Sequence, residues 1–418
     1  MADDKKNGEA SGAVVGRRRG RLRRLLIVLG ASTLVIFIAL AALVVSLQMA
    51  EEKADFNTIE AAKVSMGATS LVVPGPGIPF ATAMPSNNNL DICRFRDRFY
   101  CAFRSAPTHF ASTETRLRVM SSADAETWER EAEFAYGCDI REPRFLVFKD
   151  KLFLYFFTAG KNMLSFTPDF IHATEFKSAG DWAVPRKVFE KGYVVWRARA
   201  IADRALMTVY DGLSLYRDTT VKSRVRMLES DDGYDFRPFS ERDISNEASA
   251  SEADFELDDD GTLYGTIRME FRGSMVCRAP KGEIGNWTGR FSPNKYDSAL
   301  VFKRANDIYV IARRNVAGTF NRDCSFLPER LQAAWYLTRY SLTRKRTCLY
   351  KLDKDNLELL PLFDLPSCGD TAYAGIVPLD DKRYLVFNYS SDIDGFDWPW
   401  LGGQLFGSNI YYTELEFR

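Results

Sequence analysis

Three arginines of this chain stand at or just past the ends of hydrophobic runs: Arg104 after Phe99-Tyr-Cys-Ala-Phe103, Arg268 after Leu263-Tyr-Gly-Thr-Ile267, and Arg313 after Ile308-Tyr-Val-Ile-Ala312. Arg141, in Asp139-Ile-Arg-Glu-Pro143, is a fourth held in reserve. A guanidinium is a planar fork that grips a carboxylate through two parallel hydrogen bonds, so three of them meeting at one point would hold an anionic ligand. Each one alone reads equally well as a solvated charge at a strand end. Metal chemistry finds little to work with. The chain has 2 histidines, His109 and His172, and its 7 cysteines (Cys93, Cys101, Cys138, Cys277, Cys324, Cys348 and Cys368) include no Cys-x-x-Cys pair. That argues against zinc, and the reading needs no metal and no cofactor. Cys93 and Cys101 flank Arg96-Asp-Arg98 and could face each other across one hairpin, while the odd count leaves at least one thiol unpaired. Asp392-Ile-Asp-Gly-Phe-Asp-Trp-Pro-Trp400 sets acids among large aromatics. Exposed Trp faces there would stack on sugar rings and the acids would suit calcium; the plainer reading is an aromatic plug beneath a closing strand, Asn409-Ile-Tyr-Tyr-Thr-Glu-Leu-Glu-Phe417.

The elements that must position these groups are strands. Helical periodicity is almost absent beyond residue 86, and short aromatic and β-branched runs recur instead. They are Phe99-Tyr-Cys-Ala-Phe103, Leu152-Phe-Leu-Tyr-Phe-Phe157, Ala205-Leu-Met-Thr-Val-Tyr210, Leu263-Tyr-Gly-Thr-Ile267, Ile308-Tyr-Val-Ile-Ala312 and Tyr384-Leu-Val-Phe-Asn-Tyr389. Most follow a turn signal such as Phe148-Lys-Asp-Lys151, Asp258-Asp-Asp-Gly261, Ala305-Asn-Asp307 or Asp380-Asp-Lys-Arg383. The runs begin roughly 50 residues apart on average, and a period of about 40–50 residues with four short strands per unit is the mark of a β-propeller. The fold expected is all-β: a six-bladed propeller, with five blades as the alternative and a sandwich as the plainer competitor.

Ser122-Ala-Asp-Ala-Glu-Thr-Trp128 resembles the Asp-box of sialidase-type propellers, Ser-x-Asp-x-Gly-x-Thr-Trp, with Glu126 where glycine is usual; Ser230-Asp-Asp-Gly-Tyr-Asp-Phe236 is a second copy. In such a turn the Asp side chain caps backbone donors and the aromatic packs between sheets. From residue 87 on, the chain is also similar to bacterial sialidase-like glycosidases. Phe99-Tyr-Cys-Ala-Phe-Arg104 with His109, Asp139-Ile-Arg-Glu-Pro143, Val195-Trp-Arg197, Glu252-Ala-Asp254 with Asp260-Gly-Thr-Leu-Tyr-Gly-Thr-Ile-Arg268, Tyr309-Val-Ile-Ala-Arg313 and Gly369-Asp-Thr-Ala-Tyr-Ala-Gly375 carry the likeness. The Phe-Arg-Ile-Pro start of well-studied sialidases is missing and the boxes are degenerate. The resemblance implies an exo-glycosidase that removes a terminal sialic acid or a related acidic sugar from a glycan. It places the sugar carboxylate among Arg104, Arg268 and Arg313, with Arg141 and Asp370 beside them. Because the anomeric carbon already bears an anion, such enzymes attack with a tyrosine instead of a carboxylate, and a phenol of pKa about 10 needs a base. By resemblance the nucleophile is Tyr373, its base Glu252, and the acid/base Asp139. Tyr373 as a core aromatic, and Glu252 as a turn carboxylate with Asp254 in its role, stay open. A second reading starts from Arg141-Glu-Pro143, which resembles the Arg-Asp-Pro element of five-bladed glycosidases and fructosidases. There Asp91 would attack a neutral sugar and Glu252 would protonate the leaving oxygen, although Glu142 departs from that pattern. A third is a propeller that binds glycan or protein without catalysis.

Charge is balanced overall, 56 Lys+Arg against 56 Asp+Glu, so nothing points to nucleic acid. The exception is Arg17, Arg18, Arg19, Arg21, Arg23 and Arg24, followed at once by the uncharged run 25–47. As a helix that run reaches about 34 Å, enough for a hydrocarbon core of about 30 Å. Glu51, Glu52 and Asp55 follow it. Its length exceeds a signal-peptide core of about 7–15 residues, and Ser46-Leu-Gln-Met-Ala50 is a poor cleavage site, so it reads as an uncleaved anchor in membrane lipid. The expected organisation is a basic cytoplasmic tail (1–24), a transmembrane helix (25–47), a linker (48–85) and a periplasmic or extracellular propeller (86–418). Asn286-Trp-Thr288 and Asn388-Tyr-Ser390 match glycosylation acceptors.

Overall fold

Each of the six apolar runs is the second strand of its own antiparallel sheet in the computed structural model, which describes residues 4–78, 82–162, 166–215 and 221–418. Six sheets follow one another as blades. Their innermost strands are Ser86–Phe95 (blade I), Ile140–Phe148 (II), Tyr193–Ile201 (III), Ala250–Leu257 (IV), Asp297–Arg304 (V) and Ala372–Pro378 (VI). The second strands are buried on both faces, as Lys151–Thr158 is after its first residue, because each blade is packed between two others. That is why they read as continuous apolar runs and not as alternation. In blades I, II, III and V a two-residue hairpin joins the first strand to the second. Lys149 and Asp150 both take positive φ (49° and 59°), the type I′ geometry that suits the twist of paired strands.

The ring closes through its ends. Val64–Val73 is the outermost strand of blade VI and pairs with Asn409–Phe417 from Val64 opposite Phe417 to Val73 opposite Ile410. The segment expected as linker therefore holds a blade strand. Residues before it are also tied down: Glu51 pairs with Arg344 at 3.0 Å, Glu52 with Arg322 at 2.9 Å, and Asn57 donates its N–H to the Pro361 carbonyl. The helix spans Asp4–Met49 and forms a separate compact unit, with Ala50–Arg418 as the other. Leu29–Met49 is long and apolar enough to cross a membrane, a property it shares with signal sequences. The side chains of the arginine cluster, residues 17–24, lie outside the described residues.

Two helices sit in loops where none was expected: Glu329–Ser341 within blade V and Trp400–Phe406 within blade VI. The two Asp-centred turns have one geometry. Asp124 accepts from the backbone N–H groups of Glu126 and Thr127 at 2.8 and 2.7 Å, and Asp232 accepts from those of Tyr234 and Asp235, each at 2.8 Å. Their aromatics pack edge-on against neighbouring blades, Trp128 on Phe387 and Phe236 on Tyr155. Cys93 and Cys101 do not face each other. Ile92 is opposite Cys101 and Cys93 opposite Tyr100, and a one-residue offset sends the two thiols to opposite faces of the sheet. All seven cysteines are free. Asn388 is fully buried, which removes it as a glycan acceptor.

Candidate functional site

Every innermost strand carries a bulge. The register slips between Asn88 and Asp91, Arg141 and Arg144, Val195 and Arg197, Ala250 and Ala253, Asp297 and Leu300, and Ala372 and Gly375. A bulge gives one strand an extra residue and re-aims its side chain. In four blades the first extra residue takes positive φ: Asn89 (46°), Glu142 (53°), Ser298 (56°) and Tyr373 (48°). Left-handed backbone is unfavourable for residues with a Cβ and gathers at functional sites. Trp196 is the extra residue of blade III, and Ser251-Glu252 occupy the slip in blade IV.

These residues meet one another. Tyr373 Oη donates to Glu142 Oε1 at 3.0 Å, and Asn89 Nδ2 donates to the same oxygen at 3.0 Å. The Tyr373 ring lies edge-on to Trp196, with centroids 5.1 Å apart. Glu252 takes the backbone N–H of Ser298 at 2.7 Å on one oxygen and Arg268 on the other. Glu142, Glu252, Ser298 and Tyr373 line a cavity of about 220 Å³ with Tyr210 and Trp400. Burial pushes the Glu142 carboxyl up to about 7. It also raises Glu252, against the pull of Arg268, and lifts the Tyr373 phenol well above its usual value, aided by the carboxylates of Glu142 and Glu252. A carboxylate reluctant to stay charged, hydrogen-bonded to a phenol, is a proton acceptor placed for a nucleophile.

Three arginines line the same cavity: Arg141, Arg268 and Arg313. Arg313 donates to the Thr371 carbonyl at 2.7 Å and to Tyr389 Oη at 3.2 Å, and its guanidinium lies 4.9 Å from the Trp400 ring centroid. Arg268 is held by Glu252, by Glu270 at 2.6 Å and by Asp297 at 3.2 Å. Arg104 is not among them. It is fully buried, donating to Asp139 at 2.9 Å and to the carbonyls of Thr108 and Phe110. The reserve arginine, Arg141, takes the third place in the cavity.

The carboxylates expected from the sequence divide. Asp139 lines the cavity, but one oxygen accepts from Arg104 and from Thr115 Oγ1 and the other from Arg141. Burial works against its charge, yet the two guanidiniums hold its carboxyl below the ordinary range. It is an anion with both oxygens engaged. Asp370 sits behind the cavity wall, accepting from Trp400 Nε1 at 2.9 Å and Tyr389 Oη at 3.2 Å, with His109 Nδ1 at 2.7 Å. Asp91 binds the Phe145 N–H at 2.8 Å between blades and does not line the cavity. Asp254 is consumed by Arg197, Arg199 and the Val301 N–H, so Glu252 is the member of its pair that faces the cavity. In the acid–aromatic loop Asp397 pairs with Arg346 at 2.6 Å and Trp398 lies between Phe396 and Phe406. Its last residue, Trp400, reaches the site. Glu142, His109 and Asp297 are charged or titratable groups at the cavity to which the sequence reading gave no role. Glu142 and His109 lie in or beside the quoted blocks; Asp297, bound between Arg268, Lys295 and Arg313, carried no signal.

No family model matches this sequence, and no curated protein matches it either. Solved structures do. A protein of unknown function from Dyadobacter fermentans superposes with a TM-score of 0.60 at 15% identity, over 85% of this chain and 100% of that one. Trypanosoma rangeli sialidase in complex with sialic acid gives 0.54 at 12% identity, over 83% of this chain and 58% of its own. The endosialidase of phage phi92 gives 0.54 at 11%, over 84% and 69%. At these identities the likeness is one of fold: a six-bladed propeller of the kind that sialidases use.

Proposed function

We propose that the protein is a sialidase-like exo-glycosidase, tethered to a membrane by its N-terminal helix, that hydrolyses terminal sialic acid or a related acidic sugar from glycans. One observation carries this reading: the Tyr373–Glu142 hydrogen bond at 3.0 Å in a cavity walled by Arg141, Arg268 and Arg313. The arginines bind the sugar carboxylate and set the anomeric carbon over Tyr373 Oη. Tyr373 attacks, Glu142 receives the phenolic proton, and a tyrosyl-glycoside forms for water to cleave. A neutral phenol approaches that anionic centre without the repulsion a carboxylate would meet. Glu252 flanks the pair and fixes Arg268, while Asp139 fixes Arg141. The base is therefore Glu142 and not Glu252, a reassignment that rests on which carboxylate the phenol meets.

The test is turnover of aryl 2-keto-acid glycosides by the full chain. Tyr373→Phe keeps the ring on Trp196 and removes the nucleophilic oxygen, so the melting curve should hold while kcat falls by a factor of about 10² or more. Undiminished turnover in that variant would reject the tyrosine mechanism. Glu142 and Glu252 both line the cavity with raised pKa values, which favours a two-carboxylate glycosidase as the second reading. Activity on neutral glycosides that survives Tyr373→Phe would select it. The tether is checked by protease added outside intact cells. The arginines before the apolar run place the N-terminus inside, so the propeller should be digested and an N-terminal tag spared.

A further inference from the structure

In this mechanism the departing alcohol needs a proton, and Asp139 has none to give. We propose that His109, oriented by Asp370, protonates the leaving-group oxygen and then takes a proton from the attacking water. The inference rests on the sialidase-like reading above and adds a residue to it.

The geometry is that of an oriented imidazole. His109 follows the second strand of blade I, its backbone N–H donates to the Gln404 carbonyl at 3.0 Å, and its carbonyl accepts from Arg141 at 2.7 Å. Nδ1 lies 2.7 Å from Asp370 Oδ2 and 3.3 Å from Asn88 Nδ2. Asp370 is itself fixed by Trp400 and Tyr389. A carboxylate on one ring nitrogen sets the tautomer and the ring plane, leaving the other nitrogen to exchange a proton. The ring lines the cavity beside Trp400, with its side chain 11% exposed. Nε2 has no hydrogen-bond partner among the described residues, whereas every oxygen of Asp139 does.

The proton count closes. In the first step the bond from the anomeric carbon to the leaving oxygen breaks, that oxygen takes the Nε2 proton, the Tyr373 Oη–carbon bond forms, and the phenolic proton passes to Glu142. In the second, water adds to the anomeric carbon and yields a proton to Nε2. The Tyr373–carbon bond breaks and the phenolate recovers its proton from Glu142. His109 must start protonated. Burial holds its pKa below the ordinary histidine range, opposed by Asp370 and reinforced by Arg141 and Arg104, so the active form is lost as pH rises.

A general acid matters most when the leaving group is poor. His109→Gln should lose about 10²–10⁴-fold in kcat/KM on alkyl-linked substrate and less than tenfold on a 4-nitrophenyl glycoside, whose oxygen leaves unaided. Its pH profile should also lose the alkaline limb, rising through about 7 with Glu142 and then staying flat. Equal losses on both substrates, or an alkaline limb that persists, would overturn the proposal and leave the Tyr373 reading in place. Wild-type protein inactive on both substrates would remove the sialidase-like reading, and the role of His109 with it. A second measurement leaves His109 unmutated and uses the histidine count. In a His172→Gln background His109 is the sole histidine, and diethyl pyrocarbonate should abolish alkyl-linked turnover while sparing the aryl substrate. Retention of both activities after complete acylation would equally reject the proposal.

Discussion

Glu142 is 3% exposed, shares one oxygen with Tyr373 and Asn89, and has Arg144 3.6 Å from the other. Its folded pKa of about 7 lies above the 4.5 of a free glutamate. The folded state therefore holds the proton more tightly than the unfolded chain. The stability this gives is complete below about 4.5 and lost as pH rises through 7. Glu142→Gln should be more stable than wild type by up to about 3 kcal/mol at pH 8 and no more stable at pH 4. Denaturant midpoints at the two pH values read the difference, and a gain that is the same at both would contradict the assignment. The sequence marked Tyr373, Glu252, Arg268 and Arg313 because their types and order are distinctive. It gave Glu142 no part, although Glu142 stands in a quoted block, because what aims it at the phenol is a left-handed backbone angle within a bulge. Residue type does not encode that angle.

Six bulged strands turn a ring of sheets into a ring of inward-pointing side chains, and just past the bulge of blade VI Gly375 lets that strand pass close to blade I. A Cβ there would sit 2.7 Å from Ile92 Cγ2 and 3.1 Å from the Ile92 nitrogen, at the seam where blade VI meets blade I. Gly375→Ala should therefore cost about 1–3 kcal/mol by overpacking and should lower kcat as well, since Tyr373 is two residues away. Unchanged stability would mean that the seam has slack. The second strands were legible in full because burial on both faces makes them apolar throughout. The outer strands were not: Glu129–Phe134 and Thr288–Ser292 have hardly a buried residue between them and look like loop. The helix Glu329–Ser341 was hidden for a different reason. Its buried face is Ala333, Tyr336, Arg339 and Tyr340, and an arginine that donates to the Ala317 and Thr319 carbonyls breaks the apolar stripe. Trp400–Phe406 is seven residues long with two glycines, too short and too flexible to announce itself, yet it delivers Trp400 to the site.

The six-fold repeat, read from six apolar runs, gave the architecture of the whole molecule and Asn409–Phe417 read as its closing strand, while the strand it closes on, Val64–Val73, read as linker. Removing residues up to Met49 should leave one cooperative unfolding transition. Removing residues up to Val73 should strip blade VI of its outer strand, expose the edge of Asn409–Phe417 and lower the midpoint sharply. Equal midpoints for the two truncations would show that the strand contributes nothing. Closure also imposes a wait. Ser65 and Glu416, neighbours in the finished sheet, are 351 residues apart, so at about 5–20 residues per second the first strand is made roughly 20–70 s before its partner exists. A strand with a bare edge for that long is a site for pairing with the wrong chain. Val64–Val73 is poorly suited to do so: its middle is Gly67-Ala-Thr-Ser70, its ladder is interrupted twice, and Gly67 and Ala68 stay exposed to solvent even when paired. The small, glycine-bearing centre of this strand, with its broken ladder, is what keeps it inert until the last strand arrives.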